Sequence, residues 1–347
     1  MKSNIMKYFL IAFVVLTSAY TAAANEPMQM TMTTSKMGKV RFWLGGSGTA
    51  IIDWGDGSSK QRYKLTGYDD ISLFEGYVDD DYMYRTYIDS SVHTITITGD
   101  SITHFDCRGN KFTDLDVSNN TRLMYFSCSG NKLASLDVSK NVALRELNCA
   151  LNQLTGLDLS ANTALTYLDC RWNQLTNLDL SQNTALTHLD VQNNRLTSLN
   201  VNRSTVLTTL WCDDNQLASL DLSKNNALTN LHCSNNQLVE LDVSNNTVLD
   251  WLSCRNNQLT ELDVSKNTKL TSLLCGGNEL TSLDVNKNIE LTWLETINNQ
   301  LSAEALNALF GTLNTIRAKK TLRIRENPGT DTADRSIAAE RGWWIGF

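Results

Sequence analysis

Leu144-Arg145-Glu146-Leu147-Asn148-Cys149-Ala150-Leu151-Asn152-Gln153-Leu154 reads LxxLxCxxNxL, and the pattern returns every 21 residues. Asparagine stands at Asn110, Asn131, Asn152, Asn173, Asn194, Asn215, Asn236, Asn257, Asn278 and Asn299. From Asn110 to Asn278 cysteine stands three residues earlier in each repeat except where Val191 replaces it, and all 8 cysteines of the chain lie in that column. A fixed period of this length is the signature of a solenoid, in which each repeat is one coil stacked on the next.

One repeat divides into two half-turns, Leu133-x-x-Leu136-Asp137-Val138-Ser139-x-Asn141 and Leu144-x-x-Leu147-x-Cys149-x-x-Asn152. Alternation about Leu147 and Cys149 predicts a short strand with both side chains inward and positions 146, 148 and 150 outward. A single repeat cannot bury its leucines, but stacked repeats can, giving one column of Leu, Val and Cys. Each coil must also turn sharply and hide its backbone polar groups. The asparagine column is expected to pair those groups through its amides. A second column, Asn120, Asn141, Asn162, Asn183, Asn225, Asn246, Asn267 and Asn288, with Ser204 once, is expected to do the same at the opposite turn.

Stacked cysteines in adjacent strands are ~4.8 Å apart with parallel Cβ vectors. A disulfide needs Cβ atoms nearer ~3.8 Å. The column therefore reads as buried free thiols acting as small hydrophobes. Zinc is disfavoured because a linear column offers no tetrahedral cluster. The aspartate column (Asp116, Asp137, Asp158, Asp179, Asp221, Asp242, Asp263, Asp284) would repel itself unless each carboxylate accepts local hydrogen bonds, and Ser lies two residues on in most repeats. Calcium along this row is the weaker reading, since no oxygen-rich binding loop is present.

The repeats resemble the leucine-rich repeat family, specifically the short internalin-like repeats of secreted and surface proteins of Bacteroides-type bacteria. The resemblance covers about two thirds of the chain. It implies a right-handed superhelix with a parallel β-sheet on its concave face and short irregular, 3-10 or β segments on its convex face. Here that solenoid occupies residues 101–300, preceded by a small β-sandwich and closed by an α/β carboxyl-terminal cap.

Residues 1–24 read as a secretory signal, with Lys2 and Lys7, an apolar run from Tyr8 to Leu16, and small residues Ala22-Ala23-Ala24 before Asn25. An uncleaved anchor is the weaker alternative, because the run falls short of the ~20 apolar residues that span a bilayer. Residues 25–100 are poor in Leu and alternate like strands at Met28–Thr33, Lys39–Leu44 and His93–Thr98. Asp53-Trp54-Gly55-Asp56-Gly57 resembles the motif of PKD-type immunoglobulin-like domains, which implies a β-sandwich covering the first coil. Asp53 and Asp56 could hold a cation, but turn chemistry is the simpler reading. Tyr68 to Tyr87 reads as an exposed acidic loop. Residues 301–347 break the period: a helix opens at Ser302, a strand covers 320–325, and a second helix covers 331–341. Trp343, Trp344, Ile345 and Phe347 are expected to pack.

The net charge of −7 and the absence of a basic cluster argue against nucleic acid. The 4 histidines are scattered, and no catalytic pairing or cofactor motif is forced by the spacing, so the chain reads as non-catalytic with no cofactor. Asp169 and Asp190 should stack one strand apart, which would raise one pKa. What varies between repeats is the outward strand position. Tyr167, Arg171, Asp190, Trp211, Asp213, His232, Trp251, Arg255 and Trp293 form the candidate ligand-binding set on the concave face. The alternative is that these aromatics only pair across strands. The signal implies export, to a secreted, periplasmic or cell-surface location; the resemblance implies a module that binds or adheres to an extracellular host or bacterial protein, and the chain is expected to be a monomer. The second reading is binding of a polysaccharide by the concave aromatics.

Overall fold

The computed structural model describes residues 28–67, 82–99 and 101–346. The expected signal, residues 68–81 of the expected loop from Tyr68 to Tyr87, and Phe347 lie outside the described residues; the rest of that loop is corrected, since Met83–Tyr87 is a strand. Among the described residues seven strands come first: β1 (Gln29–Thr34), β2 (Gly38–Gly46), β3 (Thr49–Asp53), β4 (Gln61–Lys64), β5 (Met83–Tyr87), β6 (His93–Gly99) and β7 (Ile102–Asp106). β8 (Asp114–Asp116) follows, and then one three-residue strand per coil. These are β9 (Tyr125–Ser127), β10 (Glu146–Asn148), β11 (Tyr167–Asp169), β12 (His188–Asp190), β13 (Thr209–Trp211), β14 (Asn230–His232), β15 (Trp251–Ser253), β16 (Ser272–Leu274) and β17 (Trp293–Glu295). The chain ends with α1 (Ala303–Thr312), β18 (Lys320–Arg323), α2 (Ser336–Glu340) and β19 (Trp343–Ile345).

Alternation explains the amino-terminal strands. Met30, Met32, Ile52, Ile95 and Ile97 are buried in one cluster with Val40, Phe42 and Leu44 of β2. Phe42 lies 5.1 Å from Trp54 and 6.2 Å from Phe105, ring centre to ring centre. One sheet runs β4-β3-β6-β1-β8; the other begins β5-β2-β7 and continues through every coil to β19. β2 pairs antiparallel with β7, and β7 pairs parallel with β9. β8 pairs back on β1. Hydrogen bonding thus crosses residue 100 in both sheets, and the repeats grow directly out of the amino-terminal strands.

From β7 onward the sheet is parallel and in register, a solenoid of about 12 turns. The inward residues of each strand, such as Leu147 and Cys149, have no exposed surface. Burying one such leucine stabilises by roughly 1.5–3 kcal/mol, and every coil repeats the gain. All 8 cysteines are free and buried. Burial pushes the Cys254 thiol up to about 12 and raises the other seven well above the usual thiol value.

The first asparagine column does what its spacing predicts. Asn215 Nδ2 donates to the carbonyls of Val191 (2.9 Å) and Cys212 (3.2 Å), while its Oδ1 accepts from Leu196 N (3.0 Å). Each amide therefore ties its own turn to the coil before it. Asn110 does this for β2, exchanging bonds with the Arg41 backbone. The second column behaves differently. Asn141 Nδ2 donates to Val117 O and Asn120 O, both at 2.9 Å, but its Oδ1 is buried without a partner among the described residues, and the pattern repeats up to Asn288. Ser204 Oγ keeps one such bond, to Asn183 O at 3.2 Å. The expectation of equivalent columns is therefore corrected: at this turn the backbone N–H groups already bond to carbonyls, as Leu144 N does to Asn141 O. The aspartate column makes the local turns expected of it, for example Ser139 N donating to Asp137 Oδ1 at 2.9 Å.

Past residue 300 the helix α1, capped by Ser302 Oγ accepting from Ala305 N, replaces one outer turn. The sheet nevertheless continues, with Trp293 opposite Thr321 and Lys320 opposite Trp343. Asn327 extends the ladder: its Nδ2 donates to Thr296 O and Ile324 O at 2.8 Å, and its Oδ1 accepts from Leu301 N. Helix α2 is shorter than the expected 331–341. Trp343 is buried, but Trp344 is 61% exposed, which corrects its assignment to packing; alternation along β19 turns it to the other face.

Candidate functional site

The candidate site is the face of the parallel sheet turned away from the leucine column. The first residue of each strand forms one row and the third forms a second. Tyr167 pairs with His188, Asp169 with Asp190, and Trp211 with His232 in the register of neighbouring strands. The second row is not exposed as expected: Asp169, Asp190, Ser253, Leu274 and Glu295 are buried. Strands only ~4.8 Å apart let the large side chains of one coil roof the small or acidic ones of the next.

Five of these rings form an unbroken run across five successive coils. Tyr167 stacks on His188 at 4.4 Å, His188 meets Trp211 edge-on at 5.1 Å, Trp211 lies 5.6 Å from His232, and His232 stacks on Trp251 at 6.0 Å. The run starts in the first row, steps to the second at Trp211, and returns at Trp251. Trp211 Nε1 and His188 Nε2 are buried without a hydrogen-bond partner among the described residues. Burial, with Arg171 nearby, lowers the His188 pKa to about 4, so the ring is neutral at pH 7.

Charges sit under and beside the rings. Asp169 and Asp190 are stacked carboxylates, and Arg171 reaches both, at 3.6 Å and 3.3 Å. Burial raises both carboxyl pKa values, and Asp169 helps push Asp190 to about 7. One guanidinium does not offset two desolvated carboxylates. Farther along, Asp213 Oδ1 accepts from Ser234 N at 2.7 Å, and its Oδ2 lies 3.7 Å from His232 Nδ1. Burial raises Asp213 and lowers His232. Arg255 pairs with Glu295 across two coils, Nη2 to Oε2 at 2.7 Å.

A shallow depression of about 330 Å³ opens among Asp213, Asp214, His232, Trp251, Arg255 and Asn256. The structure therefore gathers Asp213, His232, Trp251 and Arg255 at one place and Tyr167, Arg171 and Asp190 at another, with Trp211 in the ring run between them. Trp293 stands apart, under the Arg323 guanidinium at 5.1 Å. The residues sequence reasoning left out of the set are His188, which bridges the two groups, and Asn256 and Glu295. The signal for His188 and Glu295 was present, since both occupy variable outward positions; Asn256 sits instead at the left-handed turn before the ladder asparagine. Ser253 Oγ is bonded to Ser234 Oγ at 2.8 Å rather than to the His232 ring. Among the described residues no group of three or more His, Cys, Asp or Glu is placed to hold a metal ion.

No family model matches the chain, and no curated protein matches it. Among solved structures it is similar to the functional domain of InlJ from Listeria monocytogenes, which includes a cysteine ladder: 31% identity and a TM-score of 0.57 over 74% of this chain and 62% of that one. This chain thus spans 62% of the length of that domain. It is also similar to an internalin (inlF) from Listeria monocytogenes str. 4b F2365, at 22% identity and a TM-score of 0.50, covering 71% of this chain and 86% of that one. The leucine-rich repeat domain of APL1B matches at 21% identity and a TM-score of 0.54, covering 69% of this chain and 79% of that one. The last two likenesses speak for the fold alone. The structural neighbours are internalin-type leucine-rich repeat proteins.

Proposed function

We propose that this chain is a non-catalytic protein-recognition or adhesion module, exported to the periplasm, the cell surface or the medium, and that it binds its partner on the concave outer face of the parallel sheet. The observation that carries this reading is the ring run from Tyr167 to Trp251. Interaction hot spots are enriched in Trp, Tyr and Arg placed centrally and surrounded by polar groups, and the run supplies such rings with Arg171 and Arg255 at its two ends. The internalin-type neighbours support the same class. Residues 1–24 act in this reading as a signal, residues 25–100 as a PKD-like sandwich that covers the first coil, and residues 301–347 as the closing cap. No helix among the described residues is long and apolar enough to cross a membrane. The mature chain is read as a monomer.

Glycan binding is the second reading. It is favoured by Trp251, 36% exposed beside Asp214, Asn235 and Asn256, because a ring face flanked by planar polar groups suits a sugar. The discriminating experiment is a side-by-side screen of the chain from Asn25 onward on a glycan array and an extracellular-protein array. A protein hit that survives deglycosylation of the target supports the proposal. A glycan hit lost on Trp251→Ala replaces it with the second reading.

A further inference from the structure

The residue before each ladder asparagine lies in the left-handed region in every coil, with φ between 50° and 71° from Gly109 to Glu326. Side chains rarely adopt this conformation; glycine does so freely, and asparagine and aspartate tolerate it. The sequence respects the demand at most positions, with glycine at 109, 130 and 277, asparagine at 193, 235, 256 and 298, and aspartate at 214. Three coils depart from it, and two of those are adjacent: Leu151 (φ 55°) and Trp172 (φ 55°). Neither gains burial in return, being 52% and 54% exposed. Their backbones are ordinary members of the ladder, Leu151 N donating to Arg171 O and Trp172 N to Gln192 O at 2.9 Å. Neither the turn nor the core therefore accounts for two large apolar side chains here.

The neighbouring outer column reads Lys132, Gln153, Gln174, Arg195, so a cation stands at each end of the apolar pair. Both Lys132 and Arg195 are exposed, and neither joins an ion pair among the described residues. The carboxylates on the other side, Asp169 and Asp190, are covered by Arg171. The exposed charges that flank the pair in this adjacent column are therefore positive, on a chain whose net charge is −7.

We infer that Leu151 and Trp172 form a second contact site, at the edge of the sheet, for a protein segment that presents an aliphatic or aromatic side chain flanked by carboxylates. Apolar anchors that cost the free fold and are ringed by charge are what a partner surface recovers on binding. The site does not rest on the ring run, and Trp211→Ala with Trp251→Ala leaves it intact.

The test uses the chain from Asn25 onward and fluorescein-labelled synthetic peptides with a central Trp or Leu among Asp and Glu. Controls carry a central Ala, or Lys in place of every acid. The variants are Leu151→Asn with Trp172→Asn, which install the residue the backbone prefers, and Lys132→Glu with Arg195→Glu. The expected result is anisotropy binding of the acidic apolar peptides by the wild type, weakened at least tenfold in both double variants, with the Asn variant melting at or above the wild type. Failure of the wild type to bind any acidic apolar peptide overturns the inference. Equal binding of the Lys peptides, or a lower melting temperature in the Asn variant, overturns it as well.

Discussion

At Asn215 one amide satisfies three carbonyls and one N–H at a buried turn. Removing it leaves those groups unpaired where water does not reach, and an unsatisfied buried group costs ~1–3 kcal/mol. Asn215→Ala should lower the denaturant midpoint accordingly, with an unchanged slope; a melt identical to wild type contradicts that role. Asp190 makes a prediction of opposite sign. Its carboxyl pKa rises from 3.8 to about 7 on folding. Between those values the folded chain holds a proton that the unfolded chain has released, so this group's contribution to stability falls as pH rises through the window. Asp190→Asn keeps an acceptor for Gln192 N and removes the titration. The variant should melt above wild type at pH 8 and alongside it near pH 3. A lower melting temperature at pH 8 would mean that the ion pair with Arg171 outweighs the desolvation.

A coil is legible in sequence wherever the same physical demand recurs. The inward Leu and Cys, the ladder amide and the Asp137-type turn each repeat because every coil buries, turns and pairs alike. Features set by contact between coils are harder to read. The burial of Asp169, Ser253 and Glu295 depends on which neighbour covers them, not on their own position in the alternation. The second asparagine column was overread for a related reason: composition shows an amide but not whether both of its ends find partners. Asn327 was missed although Leu322-x-Ile324-x-x-Asn327 keeps the strand pattern, because the inserted helix α1 shifts it out of the 21-residue count. The cysteine column carries its own prediction. Its thiols are unexposed and held protonated by burial, and the thiolate is the reactive form. Iodoacetamide at pH 8 should therefore label none of the 8 in the native chain and all of them in guanidinium. Labelling of the folded chain would show that the coils open locally.

Over the described residues, one hydrogen-bonded sheet runs from β5 to β19, so the site's two groups of residues are carried on one continuous sheet. Their separation along the chain, from Tyr167 to Arg255, becomes a short walk across adjacent strands. That convergence was legible, since a fixed period places equal positions side by side. The diagonal course of the rings was not, because strand position alone does not say which rings of the two rows approach each other. The account's central claim is that this run binds the partner. The most direct test is the array-positive ligand titrated against the wild type and against the double variant Trp211→Ala, Trp251→Ala, with melting curves for both. The account predicts matching melts and binding weakened at least a hundredfold, since two hot-spot truncations at ~2 kcal/mol or more each combine to that scale. Unchanged affinity in a variant that melts like wild type would contradict it and move recognition off this face.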